Sequence, residues 1–194
     1  RGLGDVYKRQ LPGLMEAGLD AVNISLDTLE ETTFRKITRR DDFHQVLKGL
    51  RAALSYPSLK VKLNCVPTFQ SDEELLQVAA LARENPLHVR FIEMMPIGLG
   101  KEFAARGEEL IKSVLEKEYG SMTPTEEKLG NGPCHYYTLE KFTGRIGFIS
   151  ALSHKFCDSC NRVRLTSTGF LKGCLQFEDG ADLKVLLRSG CSDR

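Results

Sequence analysis

Three short segments in the first half of the chain alternate apolar and polar residues, and helical patterns separate them. The segments are residues 21–27, 60–66 and 88–93. Between them, apolar residues recur at the three- and four-residue spacing of an amphipathic helix. Strands that alternate with helices pair in parallel and are covered by those helices. The pattern therefore predicts an α/β fold.

The polar residues within these strands predict a cavity. Parallel strands that are packed on both faces read as continuous apolar runs. Here Val22 and Ile24 alternate with Asn23 and Ser25, and residues 60–65 repeat the pattern. One face of the sheet must then line a wet or liganded space, which a barrel interior used for binding provides. An exposed antiparallel sheet would also alternate, but the intervening helices argue against it.

Local signals predict where some elements begin. Thr28 with Glu31, and Ser71 with Glu74, have the spacing of capping boxes that open helices. After Pro96 the pattern changes to a loop at 98–107, an amphipathic helix near residues 110–115 and a turn-rich stretch at 120–133. Strand-like segments follow at 134–139, 145–150, 162–166 and 169–174. We therefore predict a domain boundary near residues 98–105 and a β-rich region over 101–194.

Length and charge restrict the class of protein. A chain of 194 residues can form one substantial core with an appendage. Its net charge of +1 gives no electrostatic reason to expect a nucleic-acid or membrane-surface partner. No apolar run approaches the roughly 18 residues of a membrane span. Residues 1–10 share no periodic pattern with the residues after them, and we expect a non-native or disordered segment there, with the folded chain beginning at 11.

Three of the six cysteines form a metal-binding pattern. Two residues separate Cys157 from Cys160, and thirteen separate Cys160 from Cys174. The absence of a secretion signal favours reduced thiols, and clustered thiolates then favour metal. Spacing alone leaves zinc and iron–sulfur equally open. No second pair completes a zinc ribbon, and Arg162 and Arg164 adjoin the cysteines, where guanidinium groups bind phosphate in bidentate geometry. An iron–sulfur cluster beside a nucleotide site fits these features better.

With these motifs the chain resembles the radical-SAM GTP 3′,8-cyclases of molybdenum-cofactor biosynthesis. The resemblance rests on segments 14–27, 61–66 and 90–96, on Phe156-Cys157 through Arg164, and on Cys174-Leu175, in the family's order. It implies the C-terminal half of a partial (β/α)6 barrel over 11–100. It also implies an appended, truncated β-rich region over 101–194 that carries an auxiliary [4Fe–4S] cluster and binds GTP.

The resemblance also implies the site residues. Cys157, Cys160 and Cys174 would hold the cluster, whose open iron contacts guanine. Ser25 and Met95 would contact S-adenosylmethionine. The residues implied for GTP are Lys62, Arg90, Arg162, Val163 and Arg164. No residue is singled out as catalytic. Read alone, Lys62 is as typical of a solvated lysine, and Arg90 of a partner of Glu93 or another carboxylate. Ser25 is as typical of a backbone hydrogen bond, and Met95 of packing.

The implied reaction is that of the intact family. It converts GTP to (8S)-3′,8-cyclo-7,8-dihydroguanosine 5′-triphosphate, the first step of molybdopterin synthesis. A second [4Fe–4S] cluster cleaves S-adenosylmethionine, and cyclic pyranopterin monophosphate synthase acts on the product. A cytoplasmic location is implied, or the mitochondrial matrix in a eukaryote, and a homodimer is left open.

Departures from the family define the alternatives. The N-terminal C-x3-C-x2-C motif and the C-terminal Gly-Gly tail are absent from these residues, so we expect a fragment that is inactive alone. A peptide maturase with an auxiliary cluster and a non-catalytic zinc module are the rival interpretations. Cys65, Cys134 and Cys191 match no ligand position and are interpreted as structural or incidental. No role is assigned to His44, His88, His135 and His154.

Overall fold

The computed structural model describes residues 3–104, 106–127 and 129–190, without the side chains of residues 3–8 and 159. Contacts divide the chain into two compact units, Arg1–Lys155 and Phe156–Arg194. The helices are α1 (Leu3–Glu16), α2 (Glu31–Thr38), α3 (Phe43–Leu54), α4 (Asp72–Glu84), α5 (Glu108–Tyr119) and α6 (Leu183–Arg188). The strands are β1 (Ala21–Ser25), β2 (Lys60–Cys65), β3 (Leu87–Ile92), β4 (Thr123–Thr125), β5 (His135–Thr138), β6 (Arg145–Ile149), β7 (Arg164–Leu165), β8 (Phe170–Lys172) and β9 (Gly180–Asp182).

The first unit is built on one mixed sheet of six strands in the order β1-β2-β3-β6-β5-β4. The ladders β1–β2, β2–β3 and β3–β6 are parallel, whereas β6–β5 and β5–β4 are antiparallel. The α/β fold with mostly parallel pairing that the sequence predicted is therefore confirmed.

The apolar sides of the parallel strands form the core with the helices. Val61, Leu63, Val89, Phe91 and Ile146 are at most 1% exposed. The same cluster includes residues of α3, α4 and α5. Helices therefore cover one face of the sheet, and the alternating polar residues of the strands lie on the other.

One capping box is confirmed and the other is wrong. Ser71 caps α4, because its side chain accepts from the Glu74 backbone N–H while the Glu74 carboxylate accepts from the Ser71 N–H. Thr28 does not cap α2, which begins at Glu31 after Glu30 without a side-chain cap. Instead the fully buried Thr28 hydroxyl donates to Glu74 Oε1 at 2.8 Å. The same hydroxyl accepts the Glu30 backbone N–H at 3.0 Å, so Thr28 joins the approach to α2 to the first turn of α4.

The second half of the chain is divided differently from the sequence-based expectation. The boundary expected near residues 98–105 lies inside the first unit, because β6 returns to pair with β3. Residues 98–102 of the expected loop form a short 3₁₀-helix. Residues 123–125 of the turn-rich stretch form β4. The assignment of 101–194 as a nucleotide- and cluster-binding region stays a prediction.

The N-terminal residues are helical from Leu3. Leu11, which is 2% exposed, anchors α1 in the core. Whether residues 1–10 belong to the natural protein stays a prediction. Among the described residues, no helix has both the length and the apolar character needed to cross a membrane.

The second unit is small and contains the antiparallel sheet β7-β8-β9. Gly169, with φ +86°, forms the turn between β7 and β8, a backbone conformation that favours glycine. Asp182 caps α6 by accepting the Val185 N–H at 2.9 Å. Several of its large apolar side chains are exposed: Val163, Leu165, Phe177, Val185 and Leu187.

Candidate functional site

The polar face of the first sheet gathers side chains from neighbouring strands. Asn23, Lys62, His88 and Arg145 occupy adjacent register positions on β1, β2, β3 and β6. The next row contains Ser25, Asn64, Arg90, Gly147 and Tyr136. Parallel ladders therefore bring together Ser25, Lys62 and Arg90, three of the residues that the resemblance implied.

Arg90 is held by amide oxygens. Its Nε donates to Asn64 Oδ1 at 2.8 Å, and its Nη2 donates to Asn23 Oδ1 at 2.8 Å. The alternative of a pair with Glu93 is not formed. The buried Glu93 carboxylate instead accepts the backbone N–H groups of Leu152 at 2.7 Å and Ser153 at 3.0 Å. Among the residues that the structure describes, no carboxylate therefore pairs with the Arg90 guanidinium on the polar face.

Lys62 is the second cation of this face. It is only 8% exposed and donates to the Leu129 carbonyl, so the loop before β5 covers it. Burial, followed by the nearby Arg90 charge, lowers the pKa of Lys62. A buried lysine beside a guanidinium is electrostatically unfavourable in the absence of an anion. The alternative of a solvated lysine is therefore wrong.

Tyr136 and Cys134 close the face from the antiparallel side. Tyr136 lies beside Cys134 and Arg90, and burial raises the pKa of its hydroxyl. Burial also raises the pKa of Cys134 to about 11, so the thiol is neutral. Both side chains lie directly over Gly147, where an added Cβ would be 2.5 Å from the Cys134 sulfur. Glycine is therefore needed at this position.

His88 contributes a neutral acceptor at the edge of the face. Its Nδ1 accepts the Arg145 backbone N–H at 3.2 Å, and its ring packs edge-on to Tyr136. Burial lowers the pKa of His88, which favours this neutral form. The ring therefore supports the site without adding a further positive charge.

The two residues implied for S-adenosylmethionine follow the carboxyl ends of their strands. Ser25 ends β1 and is exposed. Met95 lies beyond β3, is half-buried, and accepts the Ile97 N–H with its carbonyl at 2.8 Å. Gly100 packs so closely that a Cβ there would be 2.3 Å from the Met95 oxygen. The Met95 backbone is thus fixed, and both contacts stay predictions.

A buried carboxylate orders the segment after β6. Glu108, 5% exposed, accepts from the Ser150 hydroxyl and from the Tyr137 hydroxyl at 3.2 Å. His154 Nδ1 lies 3.5 Å from the same carboxylate. With Glu93 binding the backbone at 152 and 153, two acids therefore fix the last residues of the first unit.

The predicted metal ligands all lie in the second unit. Cys157 begins a short 3₁₀-helix and accepts the Cys160 N–H with its carbonyl at 3.1 Å. Cys174 follows β8, and its sulfur accepts the Gln176 N–H at 3.4 Å. Backbone N–H groups of Phe177 and Gln176 lower the pKa of Cys174. All three thiols are free.

The donor chemistry at these cysteines fits a cluster, although the side chains are not assembled into one. Across the part of the chain that the structure describes, no three His, Cys, Asp or Glu side chains converge as a metal site. The thiols are nevertheless accessible, and a thiolate is favoured at Cys174, as iron–sulfur ligation requires. Arg162, Val163 and Arg164 are exposed nearby in sequence. Cys191 lies outside the described residues.

Sequence reasoning did not single out Asn23, Asn64, Tyr136 or Cys134. The two asparagines were visible as members of the alternating polar faces, and their register with Lys62 and Arg90 could have identified them. Tyr136 and Cys134 approach from a distant antiparallel strand, for which no local pattern exists.

The chain is similar to known proteins along nearly its whole length. Residues 87–194 match the family model Molybdenum Cofactor Synthesis C. GTP 3′,8-cyclase from Clostridium perfringens strain 13 is 44% identical over 98% of this chain and 58% of its own length. The protein of the same name from Syntrophomonas wolfei is 41% identical over 98% of the chain and 59% of its length. That from Moorella thermoacetica is 45% identical over 93% of the chain and 56% of its length.

The chain thus spans less than two thirds of the curated relatives that it matches. The family match itself covers more than half of the chain and includes β3, β6 and all three predicted cysteine ligands. The chain belongs to the Molybdenum Cofactor Synthesis C family.

Proposed function

We propose that this chain is the C-terminal part of a radical-SAM GTP 3′,8-cyclase and that the polar face of its first sheet binds the triphosphate of GTP. The observation that carries the proposal is the pair of cations Lys62 and Arg90, which share this face without a carboxylate partner among the described residues. Relatives named GTP 3′,8-cyclase support the choice of nucleotide. In this proposal the sheet is part of a (β/α)6 barrel.

The electrostatics explain why a polyanion suits this face. Two positive charges held close together repel one another, and burial of Lys62 adds a desolvation cost. A phosphate group relieves both effects, because it accepts hydrogen bonds from ammonium and guanidinium donors. Charge-assisted hydrogen bonds contribute about 1.5–3 kcal/mol each. The bound triphosphate displaces the Leu129 carbonyl from Lys62.

Cys157, Cys160 and Cys174 would hold the auxiliary cluster. When bound, a [4Fe–4S] cluster with three cysteine ligands supplies an iron with a vacant position for a substrate atom. The role of the chain is to bind and orient: Lys62 and Arg90 bind phosphate, and Arg162 and Arg164 supply further guanidinium donors. Val163 lines the nucleotide site, and Ser25 and Met95 contact S-adenosylmethionine. We expect the protein to act in the cytoplasm, upstream of an enzyme that consumes the cyclised nucleotide.

The phosphate site is tested by titrating the chain calorimetrically with GTP, tripolyphosphate and guanosine. We expect GTP and tripolyphosphate to bind and guanosine to bind far more weakly. Lys62→Met should weaken binding of tripolyphosphate by about tenfold to a hundredfold, from the loss of one charge-assisted bond. Lys60→Met is the matched control, because Lys60 lies on the same strand but is exposed at its start. Equal effects of the two substitutions would refute the site.

The cluster is tested separately by anaerobic reconstitution. We expect about four irons per chain and visible absorption from a cluster of this type. Serine at Cys157, Cys160 or Cys174 should lower the iron content, whereas Cys134→Ala should not. A colourless protein with one tightly bound zinc would support the zinc module instead.

A further inference from the structure

Arg90 differs from the arginines of the first unit that form ion pairs in the kind of acceptor that holds it. Arg35, Arg106 and Arg145 each pair with a carboxylate of the described residues, and Arg90 pairs with none. Its guanidinium instead donates to the side-chain amides of Asn64 and Asn23, each at 2.8 Å. Amide oxygens orient a guanidinium but leave its charge uncompensated.

The two amides come from two different strands. Asn64 is the register neighbour of Arg90 on β2, and Asn23 lies one strand farther on β1. The guanidinium therefore extends across β2 toward β1 and is fixed at Nε and at Nη2. Two of its five N–H donors are used in this way, and the others are left for a ligand or for the neighbouring Tyr136 hydroxyl.

The chemistry of the acceptor decides what this arrangement can do. A carboxylate at either position would hold Arg90 at least as firmly, because a bond to a charged acceptor is stronger than one to an amide. It would also neutralise the cation and repel an incoming phosphate. Neutral acceptors fix the geometry and preserve the attraction, which is what a binding group for an anion requires.

We propose that Asn23 and Asn64 are positioning residues that orient the Arg90 guanidinium for phosphate binding while keeping it uncompensated. The inference rests on the proposed function, because it concerns the triphosphate of the same nucleotide. It assigns to these asparagines an indirect role, through Arg90, that does not require contact with the ligand.

Substitution of Asn64 by alanine and by aspartate separates this role from a purely structural one. Asn64→Ala removes the acceptor, and we expect tripolyphosphate affinity to fall about threefold to tenfold. Asn64→Asp keeps an acceptor but adds a negative charge, and affinity should fall further, by at least about tenfold. The two variants should rank in the reverse order by thermal midpoint, with Asn64→Asp at or above wild type and Asn64→Ala below it. If Asn64 had a purely structural role, the variant with the lower thermal midpoint would also be the one with the lower affinity for tripolyphosphate.

Three further measurements complete the test. Asn23 is exposed, so Asn23→Ala folds in any case and should weaken tripolyphosphate binding about threefold. Gln77→Glu, at an exposed position of α4, gives the same charge change as Asn64→Asp and should leave binding within about twofold. The Nε–H resonance of Arg90, assigned by its loss in Arg90→Lys, should exchange faster with solvent in Asn64→Ala.

The outcomes distinguish the inference from the function on which it rests. If the wild-type chain binds neither GTP nor tripolyphosphate, the proposed nucleotide site is refuted. If the wild type binds tripolyphosphate and the Asn23→Ala and Asn64→Ala variants bind it equally well, the inference alone is overturned. An unchanged Arg90 Nε–H exchange rate in Asn64→Ala would also overturn it.

Discussion

Replacing Cys134 by alanine should make the stability of the protein less sensitive to alkaline pH. Burial raises the pKa of this thiol from its ordinary value of 9.0 to about 11. In the folded protein the thiol therefore keeps its proton at a pH at which the unfolded chain releases it. Its contribution to stability is fully present below pH 9 and is lost as the pH rises from about 9 to 11.

The size of the effect follows from the two pKa values. At pH 10 ionisation multiplies the unfolded population by about 11 and the folded population by about 1.1. The ratio is about tenfold, which corresponds to about 1.4 kcal/mol. Between pH 7.5 and pH 10 the wild type should therefore lose about 1.4 kcal/mol more stability than Cys134→Ala.

Urea denaturation under anaerobic, reducing conditions measures this difference. Cys65 is also buried with a raised pKa, but it is present in both proteins and cancels in the comparison. Cys134→Ser serves as a second variant, because it also lacks the thiol and should show the same flattening whatever its stability at pH 7.5. Equal losses in the wild type and both variants would show that Cys134 is not buried against the polar face, and the described geometry of Tyr136 and Gly147 would be wrong.

Further predictions concern the scaffold that positions the site. Ser71→Ala removes the cap of α4 and should lower the free energy of unfolding by about 1 kcal/mol at 25 °C. A decrease of less than about 0.3 kcal/mol would mean that the cap does not form. Gly144→Ala should cost at least about 2 kcal/mol, because its Cβ would lie 1.7 Å from the Leu87 oxygen. Gly13 lies in α1 with nothing within 4 Å of an added Cβ, so Gly13→Ala should instead raise the free energy of unfolding by about 0.5–1 kcal/mol. Chemical denaturation of both glycine variants measures these two changes of opposite sign.

The first three strands could be predicted because their pattern is local. Alternation at residues 21–25, 60–65 and 87–92 is strong, and each strand is followed by a connection that contains a helix or a short 3₁₀-helix. Pairing of β3 with β6 could not be predicted, because the connection contains α5 and two further strands. The three-residue strand β4, with Pro124 at its centre, carries too little signal to be distinguished from a turn.

The candidate site could be predicted only in part for the same reason. Lys62 was identified through the family resemblance, but its burial depends on Leu129, which is 67 positions away. The partners of Arg90 are likewise remote: Asn64 is 26 positions away and Asn23 is 67. A sequence pattern reports which face a side chain occupies, whereas the acceptor that it reaches is set by register and by loops from elsewhere in the chain.

The parallel register of β2 ties binding and folding to the same backbone alignment. Val61 and Leu63 fill the core, and Lys62 and Asn64 serve the opposite face. An insertion of one residue in this strand would exchange the two sets, directing an ammonium group into the hydrocarbon interior and a leucine toward the polar face. Sequence drift in β2 must therefore proceed by substitution within each face, and insertions or deletions are tolerated only in the connections beyond its ends.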